Sequence, residues 1–179
     1  AAPKAKLVQM VLYGARVLPV DGTYDDAFQM SLAYTRERGG LNRNTAYHPL
    51  TIEGKKTVAL EIFAQCGFQA PDAVVVPAGD GVILAGVWKG FADLLRAGLI
   101  PRLPRLVAVQ AETSDAIHRL VATGAYHAAP APRTIADSIS VSAPSNAWMA
   151  ARAVRERGGF TLTVSDEELR QAQRLLAST

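Results

Sequence analysis

Residues 74–86 read Val-Val-Val-Pro-Ala-Gly-Asp-Gly-Val-Ile-Leu-Ala-Gly, an apolar run that breaks at a glycine-bracketed turn and reopens as a second apolar run. The first half, Ala73 to Pro77, has no polar face, which is the pattern of a strand buried in a parallel sheet. The second half starts a helix expected from about Val82 to Ala97. Its apolar stripe is Ile83, Leu84, Val87, Trp88, Phe91, Leu94 and Leu95, with Lys89, Asp93 and Arg96 outside it. A strand that enters a glycine turn and leaves as a helix can aim several main-chain N–H groups into one concavity. The helix start adds about half a positive charge there, so a phosphate can be held without a cationic side chain. The same pattern also serves as an ordinary tight connection between strand and helix. It is not a P-loop, because Gly-Lys-Ser/Thr is missing, and it is not a dinucleotide fingerprint, because the third glycine would fall at Leu84. Asp80, beside any bound anion, must turn away or cap a helix N–H itself.

Working outward, Arg105 to Gln110 is the next buried strand. A helix is expected over 114–122, and 124–143 is loop-rich, with Pro130, Pro132 and Pro144 as punctuation. A helix over 146–157 breaks at Gly158-Gly159, and Phe160 to Val164 is a strand. Ser165-Asp166-Glu167-Glu168 is a capping box that opens a last helix to about Ala177. Upstream, 4–13 reads as a helix on Leu7, Val8, Val11 and Leu12, closed by Gly14. Residues 15–20 form a short β-branched strand, and Asp21-Gly22 a turn. Thr23 and the acids Asp25 and Asp26 open a helix to about Arg38. Residues 41–53, with His48-Pro49, read as loop with room for a brief strand. A further helix is expected over 54–67, with Val58, Ile62 and Phe63 inward. Strands alternating with helices indicate an α/β fold with a mostly parallel sheet.

Composition excludes several function classes. The chain has 179 residues, 49% hydrophobic and 20% charged, with a formal net charge of +3. That balance excludes wholesale disorder, and no apolar run approaches the ~20 residues of a membrane helix. The single cysteine, Cys66, permits no internal disulfide and no Cys-based zinc site, and it points to a reducing, cytoplasmic setting. Cys66 itself reads as an inert thiol. Arginines are scattered rather than gathered in a stripe with aromatics, so no nucleic-acid partner is expected. His48, His118 and His127 lack metal-ligand spacing, and no metal site is expected. Trp88 and Phe91 read as packing residues.

The ordered set of motifs resembles the threonine synthase family of fold-type-II pyridoxal-phosphate enzymes. The stretch 76–81 with Val87-Trp88-Lys89-Gly90-Phe91 is similar to that family's cofactor-phosphate loop and following helix. Residues 104–112, Glu53-Gly54-Lys55-Lys56-Thr57, the segments 13–17 and 21–27, Thr134-Ile135-Ala136 and 164–168 fit in the same order. The resemblance implies a three-layer αβα arrangement with mostly parallel sheets, within a two-domain enzyme. Residues 1–50 would belong to a small domain and 51–179 to the larger cofactor-binding domain, with a hinge in 42–51. The implied cofactor is pyridoxal 5'-phosphate, an electron sink for carbanions at Cα. Gly79, Asp80, Gly81, Val82 and Ile83 would hold its phosphate. The implied partner is a small amino-acid substrate, and the complete enzyme would be a homodimer.

Departures from the family pattern shape the expected activity. The segment carrying the family's Schiff-base lysine is missing, and none of Lys4, Lys6, Lys55, Lys56 and Lys89 has its context. No residue is therefore assigned a catalytic role. The opening Ala1-Ala2-Pro3 suggests the middle portion of a longer enzyme, so the chain alone is expected to be inactive. Lys89 is expected to face solvent, and Lys55 and Lys56 to be ordinary exposed bases. In the loop, Asp80 and Ile83 stand where the family carries asparagines. In the substrate segment, Ala46 and Thr51 replace a serine and an arginine that help hold the phosphate of homoserine phosphate. Two chemistries stay open: phosphate elimination giving threonine, and ammonia-lyase or dehydratase chemistry on a hydroxy- or diamino-acid. A non-catalytic paralogue is the third reading.

Overall fold

A computed structural model describes residues 4–179; Ala1-Ala2-Pro3, on which the fragment expectation partly rests, lies outside the described residues. The chain forms two compact units, Ala1–Asn44 and Thr45–Thr179.

The first unit holds α1 (Lys4–Leu12) and α2 (Tyr24–Arg38). Helix α2 is locked at its start by a reciprocal capping box. The Thr23 hydroxyl accepts from the Asp26 N–H at 3.2 Å, and the Asp26 carboxylate accepts from the Thr23 N–H at 2.8 Å. These bonds to Thr23 hold the Asp26 carboxyl below its ordinary range. The expected strand over 15–20 is not present; the segment carries no ladder. Its β-branched residues favour extension, but a strand is defined by a partner, and the three strands among the described residues all lie beyond residue 72.

The second unit is built on a parallel sheet in the order β1-β2-β3. Its strands are β1 (Ala73–Pro77), β2 (Arg105–Ala111) and β3 (Phe160–Val164). Two short helices precede it, α3 (Leu50–Lys55) and α4 (Thr57–Gln65). The single helix expected over 54–67 is thus two, because the helical hydrogen-bond ladder is interrupted at Lys56, and α3 begins inside the expected loop. Phe63 is buried on α4 and Ile62 packs against the core, as expected, whereas Val58 is exposed and the neighbouring Ala59 is buried in its stead.

Between the strands come α5 (Val82–Arg96), α6 (Ala116–Thr123), a 3₁₀ turn (Asp137–Ile139) and α7 (Ala147–Arg155). A sheet that grows in one direction through right-handed crossovers places these helices on one face. Burial agrees: Val76, Leu106 and Ala108 join Leu84, Phe91, Leu120 and Val154 in one core. The opposite face shows Val75, Phe160 and Leu162, all exposed. Ile83 and Leu95, read as part of the inward stripe of α5, are exposed as well.

Glycines make the tight packing of α5 possible. A β-carbon on Gly86 would stand 2.4 Å from Lys55 Cβ, and one on Gly90 would stand 2.5 Å from the Lys56 carbonyl. The backbones of α3 and α5 therefore approach more closely than any other residue allows. The last helix, α8 (Asp166–Ala177), buries no residue and is opened by the expected capping box: the Ser165 N–H donates to Glu168 Oε2 at 2.7 Å.

Candidate anion-binding site

Strand β1 delivers the chain to the turn in a fixed posture. The Ala78 N–H donates to the Val109 carbonyl at 2.9 Å, and the Ala78 carbonyl accepts from Gln110 Nε2 at 3.0 Å. Held on both sides, the backbone turns at Gly79 and reaches Gly81, the N-cap of α5, at φ +84°. That left-handed conformation is cheap only for glycine. Space enforces the same choice, since a β-carbon at Gly81 would lie 2.8 Å from Ala150 Cβ.

Gly81 offers no side chain to cap the helix, and α5 carries no acid in its first turn. The N–H groups of Val82, Ile83 and Leu84 lie in that turn, where no intrahelical carbonyl reaches them. Fifteen residues of aligned peptide dipoles stand behind them. Only these main-chain groups of Val82 and Ile83 can serve an anion, for the Val82 side chain is buried in the core and that of Ile83 points outward into exposure.

Asp80 is engaged with α7. Its carboxylate accepts from the Ser145 N–H at 3.3 Å, and its carbonyl from the Asn146 N–H at 3.2 Å. Asn146 adds a donor at this corner, because its buried side-chain Nδ2 has no protein acceptor. A cleft of about 400 Å³ runs from Ser145 and Asn146 along α7 to Trp148, Met149 and Arg152. The Arg152 guanidinium sits 5.5 Å from the centre of the Trp88 ring. The five expected residues therefore share one βα turn. Asn146 and the cleft are not legible in the sequence as part of it, because no spacing signal joins residue 80 to residue 146. The uncapped helix start, the left-handed glycine and the buried, acceptorless amide fit a phosphate group.

The lysines lie elsewhere. Lys56 Nζ stands 2.8 Å from Glu53 and 3.0 Å from Asp93, and Lys89 Nζ makes the same pair of contacts at 2.8 and 3.0 Å. Neither is the free, solvent-facing base expected. Hydrogen bonds donated to Glu53, then to Asp93, raise both ammonium pKa values above the ordinary lysine range. The four groups form a closed ring that ties α3 to α5. Thr51, at an altered substrate position, donates its hydroxyl to the Thr45 carbonyl at 2.7 Å and to the His48 carbonyl. No cluster of three or more His, Cys, Asp or Glu suited to a metal occurs among the described residues, nor does a helix long and apolar enough to cross a membrane.

Comparison with known proteins matches this geometry to a class. A family described as "Pyridoxal-phosphate dependent enzyme" matches residues 1–179. The chain belongs to that family, whose cofactor is pyridoxal phosphate. Within it, the chain is 37% identical to a threonine synthase of Methanocaldococcus jannaschii over 174 residues, covering 96% of this chain and 43% of that protein. It is 32% identical to a threonine synthase of Mycobacterium tuberculosis over 172 residues, covering 96% of this chain and 46% of that protein. The chain thus spans less than half the length of these curated relatives.

Among solved structures, a threonine deaminase from T.th. superposes with a TM-score of 0.77 at 28% identity, over 98% of this chain and 55% of that one. Maize serine racemase shares the fold, with a TM-score of 0.77 at 22% identity, over 97% of this chain and 50% of that one. The α/β architecture is that of the fold-type-II pyridoxal-phosphate enzymes.

Proposed function

We propose that the turn 79–83 is the phosphate cradle of pyridoxal 5'-phosphate in an enzyme that carries out elimination or replacement on an amino acid. The observation that carries this reading is the uncapped N-terminus of α5 behind a left-handed Gly81. Main-chain N–H groups of Gly81, Val82 and Ile83 bind the phosphate, and the helix dipole stabilises its negative charge. Asp80 contributes its main chain to the turn while its carboxylate fixes the start of α7. The bound cofactor supplies the electron sink for Cα chemistry.

Threonine synthase relatives favour a reaction of their kind, with O-phosphohomoserine giving threonine and phosphate. A second reading, an ammonia-lyase or dehydratase acting on a hydroxy- or diamino-acid, is favoured by Ala46 and Thr51. Ala46 offers no donor to a substrate phosphate, and the Thr51 hydroxyl is already spent on its own loop. A dianion calls for charge-assisted donors.

The chain alone does not catalyse. Lys56 and Lys89 are each tied to both Glu53 and Asp93 at 2.8–3.0 Å, so neither offers a free amine for a Schiff base. Residues 1–50 are part of a small domain and 51–179 part of the larger cofactor-binding one, and the active assembly is a cytoplasmic homodimer. The test compares pyridoxal phosphate with pyridoxal on the 179-residue chain, following the amide shifts of residues 79–83. The phosphate form binds at least tenfold more tightly and moves these amides. Equal affinity for the two would reject the cradle. For the substrate, inorganic phosphate release from O-phosphohomoserine by the active enzyme supports the first reading, and keto-acid release from serine, threonine or diaminopropionate the second.

A further inference from the structure

We infer that Gln110 and Ser114, two buried polar residues at the carboxyl end of β2, are positioning residues that set the shape of the 79–83 turn. Among the described residues they are the two polar ones in an otherwise apolar set of buried side chains, each 1% exposed. Burying an amide or hydroxyl is costly unless its bonds are made, and both make them to the turn's surroundings. Gln110 Nε2 donates to the Ala78 carbonyl at 3.0 Å, and its Oε1 accepts from the His118 N–H at 2.8 Å. One side chain therefore fixes the last residue before Gly79 and the first turn of α6. Ser114 shares its proton between the carbonyls of Ile139 at 3.0 Å and Val141 at 2.8 Å, and accepts from the Val141 N–H at 3.0 Å.

Ile139 and Val141 are the wall of the turn. A β-carbon at Gly79 would stand 3.0 Å from Ile139 Cα and 3.3 Å from Val141 Cγ2. Ser114 thus ties down segment 139–141, which lies against Gly79, while Gln110 anchors Ala78. Neither residue is placed to touch a phosphate; each acts through main-chain groups. In an open parallel sheet the carboxyl ends of the strands are where ligands bind, and here that end carries polar fasteners rather than ligand donors.

The inference rests on the cradle reading for its functional meaning, and the experiment separates the two. It uses the full 179-residue chain with Gln110→Met, which removes both bonds at similar length, and the milder Ser114→Cys. The first arm is ligand-free hydrogen exchange at the Ala78, Ala85 and Asn146 amides, whose bonds to Val109, Gly81 and Asp80 frame the turn. Exchange there rises at least tenfold in both variants, while amides of Phe91 and Leu106 stay within twofold. The second arm is the dissociation constant of pyridoxal phosphate against that of pyridoxal. The phosphate form weakens at least tenfold and pyridoxal stays within twofold. Framing amides and phosphate-form affinity that both stay within twofold of the parent would overturn the inference, as would exchange raised equally throughout residues 45–179. Should Gln110→Met not fold, Ser114→Cys alone decides by the same criteria. If the parent binds pyridoxal phosphate no better than pyridoxal, the cradle reading fails, and the exchange arm still decides whether the two residues shape the turn.

Discussion

Replacing Gly81 by Ala tests whether the turn is as tightly specified as its geometry implies. The substitution carries two costs. A non-glycine residue at φ +84° sits in the left-handed region, at about 1–2 kcal/mol. Its β-carbon meets Ala150 Cβ at 2.8 Å and Ile117 Cδ1 at 3.2 Å, and overpacking of this kind costs about 1–3 kcal/mol. The sum is about 2–5 kcal/mol of stability. Part of the packing cost is separable, because Ala150→Gly removes the nearest clashing atom and leaves the backbone cost with the looser contact to Ile117. Alone, Ala150→Gly destabilises α7 by about 1 kcal/mol through helix propensity. The double variant should therefore show a favourable coupling of about 1 kcal/mol or more. Urea unfolding of the four proteins reads this, monitored by Trp88 and Trp148, which both lie in the unit 45–179. A Gly81→Ala protein within about 0.5 kcal/mol of the parent, with no coupling to Ala150→Gly, would refute the account of the turn.

Other consequences are as direct. Ser165→Ala removes the capping box of a helix that buries nothing, so about 0.5–2 kcal/mol falls on α8 alone: its amide protection drops while that of α5 is unchanged. The ring of Glu53, Lys56, Lys89 and Asp93 carries a pH signature. The two carboxyl pKa values are depressed, chiefly by hydrogen bonds from Lys56 and then Lys89. Their contribution is therefore complete above the ordinary carboxylate values and is lost as pH falls through the depressed ones. The lysine values are raised, so their contribution is complete below the ordinary 10.5 and is lost as pH rises beyond it. A plateau of stability across neutral pH, shallower at about 1 M salt because the ring is partly exposed, and flattened by Asp93→Asn, is the expected urea profile. Arg152→Met removes the cation over Trp88, with a loss of about 0.5–1 kcal/mol and a shift in tryptophan emission.

Much of the second unit was legible in the sequence. Ala73–Pro77 and Phe160–Val164 are read with their observed bounds, since apolar runs between turn residues leave little choice. Both capping boxes follow from side chains that bond within three residues. What failed depends on partners distant in sequence. The run at 15–20 has β propensity but no strand to pair with. Val58 lost its inward place to Ala59 because α4 is seated by the glycines of α5, which let the backbones nearly touch. Lys56 and Lys89, read as solvated bases, meet only across α3 and α5. Gln110 and Ser114 escaped notice for the same reason. A polar Gln110 late in an apolar strand is visible in the sequence, but its meaning lies at Ala78, and that of Ser114 at Ile139 and Val141. The turn itself was legible because its chemistry is local: two glycines, a strand before and a helix after.

The central claim is that residues 79–83 hold the phosphate of pyridoxal phosphate through main-chain N–H groups. A crystal structure of the 179-residue chain grown with pyridoxal phosphate tests it most directly. Phosphate density is expected at the start of α5, within hydrogen-bond distance of the N–H groups of Gly81, Val82 and Ile83. Phosphate density held instead by lysine or arginine side chains away from this turn, or a turn unchanged and empty at saturating cofactor, would contradict it.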